Sequence, residues 1–149
     1  ILDSIRSACL QNPQTKAVSI NKQIMPFHGH VKMHQYVKVD LKNFVMATPG
    51  DIQLDFLMYE RKGKITSDKS PTPEKLDVGG RVVLKLTDSL SAATIVYTDR
   101  YFTSLTLLNS LLCHRSLLAY GTTMISRLQN TIHFKDHKYL RKEGRLSKL

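Results

Sequence analysis

"IVYTDRYFTSLTLLNSLL", residues 95–112, decides how the chain is read. A short apolar run, Ile95 to Thr98, stops at Asp99, and a helical pattern starts a few residues later. Asp is poor inside a strand because its side chain competes for backbone hydrogen bonds, so Asp99 marks a strand end. At such an end a carboxylate serves either structure or chemistry. "TSLTLLNSLLCHR" then reads as a helix capped by Thr103 or Ser104, with Leu105, Leu108 and Leu112 on one stripe. "ATIVYTD" reads as a buried strand before it, and "SLLAYGTTM" as a further strand after it.

Working outward, "DVGGRVVLKLTDSL" places Val78, Val82, Leu86 and Leu90 at steps of four, a helix signature with Asp77 as its cap. Upstream, "LKNFVMATPGDIQLDFLMYE" is a hairpin. Two apolar runs, Leu41 to Ala47 and Ile52 to Tyr59, flank a Pro49-Gly50 turn, and Ile52, Leu54, Phe56 and Met58 alternate as one apolar face. "KAVSINKQIMPF" reads as a strand ended by Pro26, and residues 3 to 11 as a short helix with Ile5, Cys9 and Leu10 inward. Residues 61–75, with two prolines, read as a mobile loop.

The order strand, strand, strand, helix, strand, helix, strand predicts an α/β fold of the RNase H-like kind. It has a mixed sheet, made from a three-strand meander and a helix-strand-helix-strand unit, with flanking helices, incomplete at the C-terminus. In that fold the first and fourth strands are neighbours. Carboxylates at their ends can hold two metal ions about 4 Å apart for phosphodiester chemistry.

Composition narrows the function classes. The chain has 149 residues with 42% hydrophobic content, enough for a globular core and too much for a disordered chain. Its apolar runs fall far short of a membrane span of about 20 residues, and no signal peptide is visible. The first residue is Ile, which reads as a fragment. Cys9 and Cys113 form no metal spacing and read as buried thiols of a reducing compartment. Lys and Arg exceed Asp and Glu to give a net charge of +10, a field that favours polyanions, nucleic acid first. Much of it lies in the segment 127–149, where Lys135, Lys138, Arg141, Lys142, Arg145 and Lys148 read either as a phosphate-tracking surface or as a solvated terminus.

Other constellations are weaker. His28, His30 and His34 lack a partner ligand at metal spacing and read as an exposed basic loop, as do His133 and His137. Ser104 and His114 have no nucleophile elbow around them. Gly79-Gly80 lacks the remaining phosphate-loop pattern and reads as helix-start packing. Tyr97, Tyr101 and Phe102 suit either base stacking or core packing.

Five stretches resemble the transposase domain of the piggyBac family. "SINKQIMPFHGH" (19–30) is similar to a block that runs Ser-Ile-Asp-Glu with a following Met-Pro-Phe and Gly. "HQYV" (34–37) resembles a Lys-Gln-Tyr element, and "DVGGRVVLKL" (77–86) a Gly-Gly-Arg-Val-Val helix start. "VYTDRYFTSLTLLNSLL" resembles the strand and helix around the second catalytic Asp, and "AYGTTMISR" (119–127) the Gly-Thr strand. The matches run in family order from near residue 1 to about residue 127. They imply a partial transposase domain over 1–126, followed by a basic segment over 127–149.

The resemblance implies three Asp residues that hold Mg²⁺ or Mn²⁺ for DNA strand cleavage and transfer. Asp99 falls on the second. The first falls on Asn21, and the Glu after it on Lys22; the third is expected beyond Leu149. Asn21 removes a charge meant for hard cations and Lys22 adds the wrong one, so Asp99 is expected to be vestigial as a metal ligand. Asp40 and Asp55 are the nearby carboxylates that could stand in. The segment after "HQYV" is also shorter than in the family. The implied function is a catalytically inactive, transposase-derived domain in the nucleus. No metal is expected unless ancestral activity persists; the expected partner is DNA, held non-specifically, with no membrane. A decayed fragment without a biochemical role is the alternative, and metal-dependent DNA cleavage the third.

Overall fold

A computed structural model describes residues 1–25, 41–58 and 76–128. Its elements run α1 (Leu2–Cys9), β1 (Ala17–Met25), β2 (Leu41–Ala47), β3 (Gln53–Met58), α2 (Val78–Leu86), β4 (Ile95–Thr98), α3 (Leu105–Arg115) and β5 (Leu118–Gly121), with single 3-10 turns at Thr87–Ser89 and Ile125–Arg127. The five strands form one sheet in the order β3-β2-β1-β4-β5. β1, β2 and β3 are antiparallel neighbours, whereas β4 runs parallel to β1, and β5 parallel to β4. This is the expected mixed RNase H-like sheet, with β1 and β4 side by side. The expected loop over 61–75 and all six basic residues from Lys135 to Lys148 lie outside the described residues, as do Asp40 and the histidines at 28, 30, 34, 133 and 137.

The core lies between one sheet face and helices α2 and α3. Val18 and Ile20 of β1, Phe44 and Met46 of β2, and Val96 of β4 meet Val82, Val83 and Leu86 of α2 and Leu107 and Leu111 of α3. Helix α2 starts as its sequence predicts, with the Asp77 side chain accepting from the Gly80 amide at 2.8 Å. It stops at Leu86, because the Thr87 hydroxyl turns back to donate to the Val83 carbonyl, and a 3-10 turn follows. Arg115, at the end of α3, locks this region: its guanidinium donates to the Leu84 carbonyl (2.6 Å), the Thr87 hydroxyl (2.7 Å) and the Asp88 carboxylate (2.7 Å).

Several expected faces differ. On α3 the buried residues are Leu107, Ser110 and Leu111, not the stripe Leu105, Leu108 and Leu112, and Leu112 is exposed. Five leucines spread around this helix leave its periodicity without a preferred face, and the Ser104 cap and the link to β5 set the rotation. On β3, a register shift between Met46 and Ala47 bulges the strand. Leu54 and Leu57 therefore reach the core cluster, while Phe56 is buried outside it, paired with Val45, and Ile52 is exposed. β4 is buried on one face only, by Val96 and Thr98. Helix α1 buries none of its residues, and Ile5 and Leu10 are exposed. Charge anchors it instead: Arg6 grips the buried Asp55 carboxylate of β3 with two hydrogen bonds of 2.6 and 2.9 Å. Cys113 is exposed and Cys9 half-buried, so neither is the buried thiol expected.

Candidate functional site

The site is the strand end where β1 and β4 run side by side. Their register pairs Ala17 with Ile95, Val18 with Val96, Ser19 with Tyr97 and Ile20 with Thr98. Asn21 and Asp99 each follow the last of these pairs, so the fold brings the two positions together across neighbouring parallel strands. Both side chains are exposed.

The loop that follows Asp99 is tightly held. One Asp99 carboxylate oxygen, Oδ1, accepts from the Tyr101 amide at 2.8 Å, forming a turn within its own loop. The Asp99 carbonyl accepts from the amides of Phe102 and Thr103, and from the Thr103 hydroxyl at 2.7 Å. The Thr103 hydroxyl also meets that of Thr98 at 2.9 Å. Ser104 then caps α3 by accepting from the Leu107 amide at 3.2 Å. The side chain of Phe102 plugs the core, packed edge-on against Tyr101 and Phe44.

Three elements brace that loop from outside. An added Cβ on Gly79, in the first turn of α2, would stand 2.9 Å from the Tyr101 carbonyl oxygen, so only glycine lets the helix start lie against the loop. On β5, a Cβ at Gly121 would stand 2.6 Å from the Thr98 carbonyl oxygen and collide with the Thr103 hydroxyl. Arg127 completes the frame. Its guanidinium donates to the carbonyls of Tyr101 (2.8 Å) and Thr103 (3.3 Å) and pairs with the Asp77 carboxylate at 2.8 Å. Asp77 thus caps α2 and holds Arg127 at once. Neither Arg127 nor Gly121 stands out in the sequence, although both fall in the stretch "AYGTTMISR".

The donor set at this strand end does not suit a pair of divalent cations. Position 21 offers an amide, whose nitrogen lies 3.4 Å from the Ser19 hydroxyl. Lys22 places its ammonium 4.8 Å from the centre of the Tyr101 ring, a cation–π contact two residues from Asp99. Among the described residues no cluster of three His, Cys, Asp or Glu side chains is placed to hold a metal. Asp55, expected as a stand-in carboxylate, does not reach the end of β1: it sits on β3, two strands away, with its oxygens engaged by Arg6. Ser104 and His114 stand at opposite ends of α3, roughly 15 Å apart at 1.5 Å per residue, and form no catalytic pair.

A sheet of this order, with two positions converging at the ends of β1 and β4, defines the RNase H-like class to which DDE transposases belong. The family model described as "Transposase IS4" matches residues 5–148, and the chain belongs to that DDE transposase family. It is also similar to a solved structure, a piggyBac transposase synaptic complex with hairpin DNA seen by cryo-EM, with 21% sequence identity and a TM-score of 0.70. That alignment covers 93% of this chain but 28% of the other, so the chain spans little more than a quarter of that protein. No curated protein matches it. The chain is thus a transposase-derived domain with the fold of piggyBac transposase.

Proposed function

We propose that this domain no longer cuts DNA and acts as a non-specific DNA-binding module in the nucleus. One observation carries the proposal: at the strand end where β1 meets Asp99, the chain presents the amide of Asn21 and the ammonium of Lys22 rather than two acids. A neutral and a positive group there oppose Mg²⁺ or Mn²⁺ binding, since hard cations need carboxylate oxygens. The same change, with a net charge of +10, favours a phosphate backbone. Lys135, Lys138, Arg141, Lys142, Arg145 and Lys148 are the proposed phosphate contacts. The solved neighbour's capture with hairpin DNA supports a DNA partner.

The test measures duplex binding across salt concentrations and, separately, Mn²⁺-dependent nicking. The expected result is binding whose affinity falls steeply with salt, by roughly 0.9 in log–log slope for each phosphate neutralised, and no nicking. Nicking that disappears in Asp99→Ala would restore the catalytic reading. Absence of binding even at low salt would leave a decayed fragment as the better description.

A further inference from the structure

Lys22 sits where the core gives way to the strand end. Alternation along β1 puts it on the same face as the buried Val18 and Ile20, and its register partner on β2 is the buried Phe44. A lysine in such a row keeps its stem against apolar neighbours and sends its charge to the edge. Its ammonium lies 4.8 Å from the centre of the Tyr101 ring. That ring is also stacked on Phe44, with centroids 6.2 Å apart and planes at 19°, and it meets Phe102 edge-on at 5.0 Å. The backbone of Tyr101 is held as firmly as its ring. Its amide donates to the Asp99 carboxylate at 2.8 Å, and its carbonyl accepts from Arg127 at 2.8 Å. A cation on β1 is thereby linked to the Asp99 carboxylate through a single residue.

We propose that Lys22 is a positioning residue: a cation built into the chain that holds the Tyr101 ring and, through it, orders the Asp99 turn without a bound metal ion. The inference rests on the reading that this strand end does not take a divalent cation, and it says what stands in for one. A metal held by paired carboxylates neutralises the acids and stabilises the loops that carry them, but only while it is bound. A lysine on the central strand is present at every moment. The face of an aromatic ring is its negative surface, so a charge over that face resists any rotation that would carry the ring away. Lys22 is half-buried, and reduced screening by water strengthens the attraction. A glutamate at position 22 would reverse its sign. Lysine there therefore both opposes a metal and supplies the order that a metal would have given.

Amide hydrogen exchange of the whole chain, read residue by residue by NMR, tests this. The parent is compared with Lys22→Met and Lys22→Gln, which remove the charge, with Lys22→Arg, which keeps it, and with Tyr101→Leu alone and combined with Lys22→Met. The amides of Tyr101, Phe102 and Thr103, all bonded to Asp99, report the turn. The Ala93 amide, bonded to the Ser116 carbonyl at the other end of β4, is the reference. The expected result is that both neutral variants exchange the turn amides roughly two- to thirtyfold faster, the range that a contact of this kind spans, while Ala93 keeps its parent rate. Lys22→Arg should retain the parent protection, and in the Tyr101→Leu protein Lys22→Met should add nothing. Millimolar Mg²⁺ should leave the parent rates unchanged. Unchanged turn rates in both neutral variants overturn the positioning role and leave the metal-free reading standing. So does acceleration of Ala93 in step with the turn, which makes Lys22 a packing residue, or a Lys22→Arg protein that exchanges as fast as the neutral variants. Slower turn exchange in the parent on adding Mg²⁺ overturns both, since a metal then binds and orders the loop.

Discussion

Replacing Gly121 with Ala tests whether β5 is wedged against the Asp99 loop as tightly as its backbone indicates. The new Cβ would sit 2.6 Å from the Thr98 carbonyl oxygen and 2.7 Å from the Thr98 hydroxyl, and would overlap the Thr103 hydroxyl. All three of these atoms belong to the backbone or to the buried Thr98–Thr103 hydrogen bond, so no flexible chain end can swing away. Overpacking of this kind costs about 1–3 kcal/mol, and loss of the threonine pair adds about 1 kcal/mol. A total near 3 kcal/mol lowers Tm by roughly 6–12 °C in a chain of this length. Urea unfolding followed by circular dichroism reads the change directly. Gly50→Ala is the control, since its Cβ meets nothing nearer than 3.8 Å and should shift stability by less than about 0.5 kcal/mol. Gly79→Ala falls between, because a gain in helix propensity of about 1 kcal/mol offsets part of its clash with the Tyr101 carbonyl. If Gly121→Ala behaves like Gly50→Ala, β5 does not brace the loop, and the account of the site frame is wrong.

Other substitutions probe separate parts of the fold. Arg115→Ala removes the donor shared by the Leu84 carbonyl, Thr87 and Asp88, and should cost about 2–3 kcal/mol in equilibrium unfolding, and Arg115→Lys should recover little of it. Ser116 ends α3 in a left-handed conformation, φ 54°, so Ser116→Gly should raise stability by about 1 kcal/mol; a loss would mean that the hydroxyl holds the cap. Asn43 on β2 has a buried side-chain oxygen without a hydrogen-bond partner among the described residues, and Asn43→Val should be neutral or stabilising by up to about 1 kcal/mol, as a thermal melt would report.

Legibility from sequence followed the range of the interaction involved. The caps Asp77 and Ser104 act within three residues; Asp77 was readable in place, and Ser104 as one of two adjacent candidates with Thr103. The hairpin turn at Pro49-Gly50 is local too, and β2 and β3 flank it as expected. Failures begin where a distant partner decides. The Arg6–Asp55 pair that seats α1 joins residues 49 apart, and no periodicity announces it. The bulge in β3 changes which residues reach the core without altering the apolar pattern. On α3, leucines on several sides hide the packed face, and the four-residue apolar run of β4 does not reveal that one of its faces is open. Positions 21 and 99 were paired through family resemblance and strand order together. The bracing of their loop by Gly79, Gly121 and Arg127 needed coordinates.

The parallel seam between β1 and β4 also bears on how the chain comes to be folded. Its register joins residues 17–20 to residues 95–98, so the central strand lacks one neighbour until 78 further residues have been made. At roughly 5–20 residues per second, a ribosome needs about 4–16 s to supply them. During that interval β1 and its hairpin stand with one long edge unpaired and their apolar face bare. Non-local closure of this sort is slow and exposes sticky surface. A cell that keeps this chain in use would be expected to shield the nascent meander, and yield in a cell-free synthesis should rise when a general chaperone is added during translation rather than after it.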